Sequence, residues 1–329
     1  MSTLKLHRDK TIAVVVTYDP EFEVLERLLI TLAPQVKNVV IIDNDSSVNL
    51  ECWNNEHLIN SVNVVLLREN RGIAAAHNIG IQWAKSKGVE FMLLLDQDSI
   101  PAHDMVEKLV SALLNDQKYC DSPAIAAGPI CVDMRTGNKS FFVTERLGMP
   151  ARWLPKFPLL TYNSTREVCT LISSGTLINL ALLKSVGGMR SNYFIDHVDT
   201  EWCFRAKAKG FRLLGVPSAQ MQHTLGDKVR NIWFFGWRPV AYHSPLRDYY
   251  MFRNTLLMCR DVPMSIMWRL HLTFRLLKFS GYFLLFTPQR GHRFYCMALG
   301  IVHGMRGISG KLDLKTGQCT QIPKSDLDP

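Results

Sequence analysis

The first hundred residues alternate short apolar runs with helical segments, and this alternation restricts the possible folds more than any other feature. Four apolar runs predict buried strands, at residues 11–18, 39–42, 62–67 and 91–95. The spacing of apolar residues predicts helices at 23–32 and 73–87. Strands separated by helices form parallel βαβ units, in which helices cover both faces of the sheet. The sequence therefore predicts an α/β fold.

The rest of the chain has a weaker pattern. Two further strands are expected at residues 124–134 and 166–178, the second interrupted by Ser-Ser-Gly at 173–175. From about residue 248 the sequence becomes helical and basic, and the last twenty residues are polar. We therefore divide the chain into an α/β domain (1–247), a basic amphipathic helical region (248–310) and a loosely held polar tail (311–329).

The charge of the chain is concentrated in its C-terminal third. The net charge is +9, and residues 205–311 contain 17 Lys and Arg against three Asp. This excess implies an anionic partner, which can be nucleic acid, a phospholipid surface or a diphosphate-bearing substrate. No run reaches ~18 apolar residues and no signal-peptide core is found, so we expect a cytoplasmic protein without a spanning helix.

A pair of aspartates follows the fourth predicted strand. Asp96 and Asp98 are two residues apart, so in an extended segment their side chains share one face. They lie at the carboxyl end of the strand, where open α/β sheets bind ligands. Two carboxylates at that point suit Mg²⁺ or Mn²⁺, which could carry a phosphorylated substrate. The alternative is a pair of loop aspartates that cap the helix following residues 99–101.

Two other segments meet the same predicted sheet edge. Asp43 ends the second strand and could bind a nucleotide base or ribose, or could simply form a turn. Residues 70–80 place a turn glycine, Gly72, and several small residues at the start of a helix. Small residues allow a backbone to approach an anionic ligand, and they also allow tight packing on the sheet. Both interpretations are compatible with one another.

A second acidic cluster lies at residues 194–205. Asp196, Asp199 and Glu201 precede a helical run, and Glu201 can pair with Arg205 one turn later. One of these carboxylates could act as a general base, or they could serve as a helix cap and a surface ion pair. His223 follows a strand-like segment; it is either structural or a further metal ligand beside Asp98.

Together these motifs resemble family 2 glycosyltransferases of the GT-A fold, because they occur in the order seen in that family. The matching segments are residues 15–18, 42–44, 70–74 with 78–80, 95–99, 173–175 and 194–201. The form Asp-Gln-Asp-Ser with Phe-Ile-Asp-His-Val-Asp-Thr-Glu looks most like the bacterial rhamnosyltransferase branch. The resemblance implies a Rossmann-like mixed, mostly parallel sheet flanked by helices, with a basic helical C-terminal extension.

The resemblance also implies roles for individual residues. Asp96 and Asp98 match the metal-binding pair, and His223 matches a metal ligand of some relatives. Asp199 matches the catalytic base, although Val198 replaces the acid that usually precedes it, which leaves Glu201 as an alternative. The positions that match the nucleotide-sugar or diphosphate contacts are Thr17, Tyr18, Asp43, Asn70, Gly72, Asp96, Arg247 and Arg253.

The activity implied is inverting transfer of L-rhamnose from dTDP-L-rhamnose, with Mg²⁺ or Mn²⁺, to a hydroxyl of a saccharide or lipid-linked acceptor. Such acceptors belong to O-antigen, lipopolysaccharide, other polysaccharide or rhamnolipid synthesis. The alternatives are transfer from a UDP- or GDP-sugar, and a metal-dependent sugar nucleotidyltransferase. The latter should carry a Gly-rich start after the first strand, which residues 17–20 do not supply. Nucleic acid is not expected as a partner, because it would not explain two acidic clusters.

Residues 264–286 predict a helix that is apolar but carries His271, Arg275 and Lys278 within an arc of about 60°. A basic amphipathic helix can lie in an anionic membrane surface. We therefore expect peripheral association with the inner face of the bacterial inner membrane. The alternative is packing of this helix on the catalytic domain or on a second copy in a homo-oligomer.

Overall fold

The centre of the molecule is a nine-stranded mixed sheet. The computed structural model describes residues 7–57, 62–119, 122–135, 137–155, 165–223, 228–233, 237–323 and 325–329. The strands are β1 (Thr11–Thr17), β2 (Asn38–Asp43), β3 (Val62–Leu66), β4 (Phe91–Asp96), β5 (Ser99–Pro101), β6 (Ala124–Asp133), β7 (Phe142–Arg146), β8 (Met149–Trp153), β9 (Arg166–Glu167), β10 (Leu177–Asn179) and β11 (Arg212–His223). The sheet order is β3-β2-β1-β4-β10-β6-β11-β5, and β9 pairs with β11. The pairs among β1 to β4 are parallel, whereas β10 is antiparallel to both of its neighbours.

Three two-stranded sheets lie outside this main sheet. They are β7 with β8, β12 (Lys228–Trp233) with β13 (Trp237–Tyr242), and β14 (Lys311–Asp313) with β15 (Gln318–Thr320). The helices are α1 (Phe22–Leu32), α2 (Leu50–His57), α3 (Gly72–Ser86), α4 (Met105–Tyr119), α5 (Leu180–Val186), α6 (Val198–Ala208), α7 (Pro245–Asp261), α8 (Ile266–Phe286) and α9 (Arg290–Arg306). Short 3₁₀ turns occur at Ala33–Gln35 and Ser191–Tyr193.

Helices cover both faces of the sheet, as the βαβ pattern predicts. Alternate residues of β1 belong to two separate cores, because successive side chains of a strand point to opposite faces. One core includes α3, and the other includes α1 and α4. The small residues of α3 allow it to lie close to the sheet: a Cβ at Gly80 would be 2.2 Å from a methyl of Val14. The tight-packing interpretation of residues 70–80 is therefore correct for this part of the helix.

Two expectations about the second half of the chain are wrong. In residues 166–178 the predicted interruption at 173–175 is present, but the strand segments are much shorter than expected: β9 has two residues, β10 has three, and a loop connects them. The loop turns at Gly175, where φ is +84°, a conformation that ends an extended segment. The tail is also not loosely held, because β14 pairs with β15 and Asp328 accepts hydrogen bonds from the backbone N–H and hydroxyl of Ser191.

The C-terminal helices pack on the α/β domain. The expected boundary at residue 247 falls within the first turn of α7, which begins at Pro245 and packs extensively on α9. None of the helices in the described part of the chain combines the length and hydropathy needed to cross a membrane.

Candidate active site

The structure brings together Asp96, Asp98 and His223, the three residues predicted to hold a cation. One ligand atom from each lies within 4.8 Å of the others. The pairing of β5 with β11 explains this arrangement, because Ser99 lies opposite His223 and so places Asp98 beside the imidazole. Nδ1 of His223 is 3.3 Å from Oδ1 of Asp98 and 2.9 Å from Oγ of Ser99. Two carboxylates and an imidazole form a donor set that fits Mg²⁺ or Mn²⁺.

The charges around this cluster also favour a cation. The pKa of Asp96 is raised to about 6: burial is the main cause and the carboxylates of Asp98 and Asp199 act in the same direction, whereas His223 and Arg247 oppose the shift. For His223, burial lowers the pKa, but the hydrogen bond and charge of Asp98 outweigh it, so that the net direction is upward. Excess negative charge at this point is what a divalent cation would neutralise.

Thr17 and Tyr18 lie at the end of β1 beside this cluster. In the sheet, Thr17 is opposite Asp43 and donates a 2.9 Å hydrogen bond to its carboxylate. Asp43 also accepts from the backbone and hydroxyl of Ser46, so it is buried in the turn that follows β2. Thr17 and Tyr18 line the cleft described below, whereas Asp43 lies behind Thr17. The turn interpretation of Asp43 is therefore correct, and its predicted contact with a nucleotide base remains a prediction.

Asn70 and Gly72 also line the cleft. The side-chain oxygen of Asn70 accepts hydrogen bonds from Asn44 and from the backbone N–H of Gly72. Gly72 begins α3 with φ at +82°, and a Cβ there would be 2.5 Å from the ring and the carbonyl oxygen of Phe194. Only glycine fits this position, because both the backbone conformation and the close approach exclude a side chain.

The cleft wall facing the aspartate cluster is a strained turn at residues 194–197. Phe194, Asp196 and His197 all have φ between 61° and 65°, a region that side chains rarely adopt. At Phe194 the chain makes a γ-turn, in which the N–H of Ile195 donates to the carbonyl of Tyr193 at 2.8 Å. Each such residue costs roughly 1–3 kcal/mol, so surrounding contacts must hold the turn in place.

Those contacts come from α7. The side-chain amide of Asn254 donates to the carbonyl oxygens of Tyr193, Ile195 and Asp196 at 2.8–3.0 Å. Arg253 is fully buried and donates to the carbonyls of Asn192, Tyr193 and Gly310, and also to the side chain of Asn254. Arg253 therefore holds backbone and does not line the cleft. The expected contact of Arg253 with a diphosphate does not agree with this position.

Asp199 lies at the start of α6, directly after the strained turn. Its Oδ1 accepts from the backbone N–H of Thr200 at 2.6 Å, and its Oδ2 accepts from the N–H of Ser173 at 3.3 Å. Burial raises the pKa of Asp199, although these hydrogen bonds oppose the shift. The carboxylate lines the cleft. Its position and pKa are those expected of a general base.

Glu201, the alternative base, lies elsewhere. It is fully buried, and its two oxygens accept from Arg205 at 2.8 and 2.9 Å and from Arg190 at 2.7 Å. Both arginines thus neutralise its charge, and the side chain does not line the cleft. The geometry assigns Glu201 a structural ion pair and leaves Asp199 as the carboxylate available for proton transfer.

Arg247 is the basic residue that reaches the cleft from α7. It donates to both carboxylate oxygens of Asp196, at 2.7 and 3.3 Å, and lies 2.9 Å from Nδ1 of His243. A guanidinium held in this way is suited to an anionic ligand. The sequence pattern identified Arg247 as a contact residue, and its position agrees with that role.

A cleft of about 640 Å³, open to solvent, lies between the strand ends and the turn at 194–197, and it is lined by Thr17, Tyr18, Asn70, Gly72, Asp96, Asp199, His223 and Arg247, among others. A smaller, mostly apolar cavity of about 290 Å³ adjoins it and shares Ile172 and Asp199 with it. Sequence reasoning did not assign Gln97, which exchanges hydrogen bonds with the backbone of Tyr18, or His197, which lines the cleft. Gln97 could have been found as the middle residue of the aspartate motif.

Comparison with known proteins agrees with this geometry. The model of the family described as "Glycosyl transferase family 2" matches residues 12–186. A dTDP-rhamnosyl transferase, RfbF of Shigella flexneri, is 32% identical over 302 residues, which cover 91% of this chain and 96% of that protein. Two solved structures are similar. TarS of S. aureus in complex with UDP-GlcNAc has a TM-score of 0.52 at 17% identity, with 91% of this chain and 80% of that structure covered.

GalNAc-T7 with UDP, GalNAc and Mn²⁺ has a TM-score of 0.54 at 16% identity, with 85% of this chain and 58% of that structure covered. At this identity the two structures support the fold alone, and they confirm the GT-A fold expected from the sequence, with its helical C-terminal region. The family match and the extent of the similarity to RfbF show that the chain is a glycosyltransferase and belongs to glycosyl transferase family 2.

Proposed function

We propose that the protein transfers L-rhamnose from dTDP-L-rhamnose to a hydroxyl group of a saccharide or glycolipid, with inversion at the anomeric carbon. The observation that carries the proposal is that Asp96, His223 and Asp199 line one cleft, and that Asp98 joins Asp96 and His223 in a cluster that can hold a cation. The donor is proposed from the 32% identity to a protein named as a dTDP-rhamnosyl transferase over nearly its full length. O-antigen, another polysaccharide or a rhamnolipid is the proposed destination of the sugar.

The donor would bind with its diphosphate near the aspartate cluster. Asp96, Asp98 and His223 would hold Mg²⁺ or Mn²⁺, whose charge would stabilise the diphosphate as it leaves. Thr17, Tyr18, Asn70 and the backbone at Gly72 line the same cleft and would contact the nucleotide. Arg247 would add a positive charge on the opposite wall.

Asp199 is the proposed base. The acceptor oxygen attacks the anomeric carbon while the bond from that carbon to the diphosphate oxygen breaks. The hydroxyl proton passes to a carboxylate oxygen of Asp199, and the nucleoside diphosphate leaves. A single displacement of this kind inverts the anomeric centre and needs one base, without the nucleophile and acid pair of a retaining glycosidase.

The acceptor would approach from the smaller cavity. Attack with inversion requires the acceptor on the side of the sugar opposite the leaving group, and Asp199 borders both cavities. The walls of the smaller cavity are mainly apolar, with Phe141 and Leu171 among them, and Thr170 and Thr200 supply hydroxyls. This lining suits the apolar face of a sugar ring better than a strongly charged group.

We also propose peripheral membrane association, and the observation that supports it is the composition of the outer face of α8. Six apolar side chains there are exposed although they are large: Ile266, Met267, Leu270, Phe274, Leu277 and Leu285. At 100° per residue they fall within an arc of about 100°. Lys278 and His271 are exposed beside this stripe. An apolar stripe flanked by positive charge matches an anionic lipid surface. Arg275 is not part of this basic edge, because it turns inward to His197.

The first test is a thermal-shift panel of dTDP, UDP, GDP and single-stranded DNA, each with and without Mn²⁺. We expect metal-dependent stabilisation by dTDP, because a ligand that binds the native state raises the melting temperature. Release of dTDP from dTDP-L-rhamnose on adding saccharide acceptors would then confirm transfer. Stabilisation by UDP or GDP instead would indicate that the donor is a UDP- or GDP-sugar. Stabilisation by DNA without metal would contradict the proposal.

A further inference from the structure

His197 occupies an unusual position between the strained turn and α6. It has a left-handed backbone conformation, is 8% exposed, and lines the cleft together with Asp196 and Asp199. A histidine in such a place is a candidate for contact with a ligand, but its chemistry depends on which ring nitrogen carries the proton. The surrounding contacts decide that question.

Arg275 of α8 reaches His197 from the C-terminal region. Its Nη2 lies 3.2 Å from Nε2 of the imidazole. Every nitrogen of a guanidinium is a donor, so Nε2 must be the unprotonated nitrogen that accepts. The hydroxyl of Thr255 also lies 2.9 Å from Nε2, but it donates its own proton to the carbonyl of Met251 at 2.7 Å. The lone pair of Nε2 is therefore left to Arg275, and the ring proton is on Nδ1.

The imidazole is neutral as well as oriented. Burial lowers the pKa of His197 to about 3, and the positive charge of Arg275 acts in the same direction. Arg275 is itself largely buried and lies near the carboxylates of Asp196 and Asp199, which favour its charged form. A neutral ring that keeps one N–H offers the same hydrogen bond over the whole physiological pH range.

Nδ1 has no acceptor among the residues that the structure describes, and the side chain lines the cleft. A group brought in by a ligand would thus be its hydrogen-bond acceptor. Oxygen atoms of the diphosphate and of the sugar are the acceptors that a nucleotide sugar supplies.

We propose that His197 is a hydrogen-bond donor to an oxygen of the nucleotide sugar, and that Arg275 is the positioning residue that fixes its Nδ1–H tautomer. This inference rests on the proposed function, in that the ligand is a nucleotide sugar. According to this inference, α8 helps to position a side chain of the cleft, although the helix lies outside the region that the family model matches.

The tautomer can be measured without catalysis. In the full-length protein labelled with ¹⁵N, the ring signals of His197, identified by their loss in His197→Gln, should show a protonated Nδ1 and an unprotonated Nε2. Adding dTDP-L-rhamnose with Mg²⁺ should shift the Nδ1–H signal. A ring protonated on Nε2, or an Nδ1–H signal that does not respond to the bound nucleotide sugar, would overturn the proposal.

Variants at position 275 give the kinetic test. In Arg275→Met the Nε2–H tautomer should appear, since that nitrogen can then donate to Thr255, and kcat/KM for the donor should fall about tenfold, the value of one hydrogen bond. Arg275→Lys should restore the Nδ1–H tautomer and part of the activity. Arg306→Met, which removes an exposed arginine from α9, is the matched control and should behave as wild type. An unchanged tautomer and unchanged kinetics in Arg275→Met would contradict the positioning role.

The two proposals fail in different ways. If no nucleotide sugar is turned over but a bound nucleotide sugar still shifts the Nδ1–H signal, the proposed function is wrong and the binding role of His197 is retained. If transfer occurs and the signal of His197 does not respond, the proposed function is retained and this inference is wrong.

Discussion

At the scale of single residues, the acidic side chains differ in role, and the differences follow from how deeply each is buried and which residues it contacts. Asp96 and Asp98 share a cluster with an imidazole, whereas Glu201 is enclosed by two arginines. Among the residues that the structure describes, Asp199 has only backbone N–H groups and the Thr200 hydroxyl as hydrogen-bond donors, and it borders the cleft. A carboxylate that is not neutralised by a cation can accept a proton, so Asp199 is the residue to test first.

We expect Asp199→Asn to bind dTDP-L-rhamnose nearly as tightly as wild type and to lose turnover by about 10²–10⁴-fold, the usual contribution of a general base. Calorimetry and initial rates measure the two quantities. Glu201→Gln is the contrasting variant. It should lower the free energy of unfolding by about 3 kcal/mol, because it weakens a buried ion pair, with a smaller effect on kcat. Near-normal turnover in Asp199→Asn would remove it from the base role.

The pH dependence of activity should also identify Asp199 as the base. Burial raises the pKa of Asp199, and the carboxylate of Asp196 adds to this shift, while the hydrogen bonds from Thr200 and Ser173 oppose it. A base must be ionised, so kcat/KM should fall as pH decreases through this raised pKa. The acid limb should therefore lie above about 3.9, the ordinary value for aspartate. Rate profiles between about pH 4 and about pH 9 would show it, and an absent limb would contradict the assignment.

The aspartate cluster predicts a metal-dependent loss of affinity. Asp98→Ala removes one of three candidate ligands, so the affinity for dTDP in the presence of Mg²⁺ should fall by about 10–100-fold. Calorimetric titration with EDTA in place of Mg²⁺ is the control, in which wild type and variant should agree. Equal affinities of wild type and variant with Mg²⁺ present would show that Asp98 does not hold the cation.

At the scale of elements, the sequence predicted what depends on periodicity and missed what depends on tertiary support. The early strands and α3 follow directly from apolar spacing, and Asp96 and Asp98 could be placed because strand ends share one edge. The turn at 194–197 could not be predicted, because positive φ is uncommon for any residue other than glycine and three such residues occur here within four positions. That conformation is imposed by Asn254, sixty residues later, through three carbonyl groups.

Dependence on tertiary contacts also explains why the sequence did not predict the positions of Arg253 and Arg275. Both are arginines in a basic region, and composition alone predicts that they face solvent or an anionic ligand. In the fold, the guanidinium of Arg253 binds backbone carbonyls, and that of Arg275 binds an imidazole. Helical periodicity gives the face on which a residue lies, but the partner that the face meets comes from the packing of α7 and α8.

Asn254→Ala should therefore act on the turn. The substitution removes the side-chain amide donor from the carbonyls of Ile195 and Asp196, while that of Tyr193 keeps its bonds from Arg253 and Ile195, and the loss should cost about 2 kcal/mol of unfolding free energy. It should also lower kcat/KM at least tenfold, because the turn carries Asp196 and His197, which line the cleft together with Asp199. Denaturant unfolding and initial rates are the measurements. Asn63→Ala, an exposed asparagine on β3, is the control. A stability loss with unchanged kcat/KM would limit Asn254 to a structural role.

At the scale of the whole molecule, we assign a function to each of two faces of α8. Its inner face carries Arg275, which contacts the cleft wall through His197, and its outer face carries the exposed apolar stripe. Binding of the stripe to a membrane would hold the helix, and with it the cleft, near acceptors that are attached to lipid. This arrangement explains why a glycosyltransferase without a spanning helix in its described part would keep large side chains such as Phe274 59% exposed.

The membrane proposal leads to a prediction about α8 alone. Phe274→Glu with Leu277→Glu places two charges in the stripe, so co-sedimentation with vesicles containing phosphatidylglycerol should fall at least tenfold relative to wild type. Leu147→Glu is the matched control, because Leu147 is 93% exposed at the tip of the β7–β8 hairpin and lies outside the stripe.

Binding of the wild type should weaken with added salt, since part of it is attraction between basic side chains and anionic lipid. Vesicles of neutral phosphatidylcholine separate the two contributions: residual binding there measures the apolar stripe alone. If the double variant binds anionic vesicles as wild type does, the outer face of α8 is not the membrane contact. A dimeric mass in solution that the same substitutions convert to a monomer would instead identify a second copy of the chain as its partner.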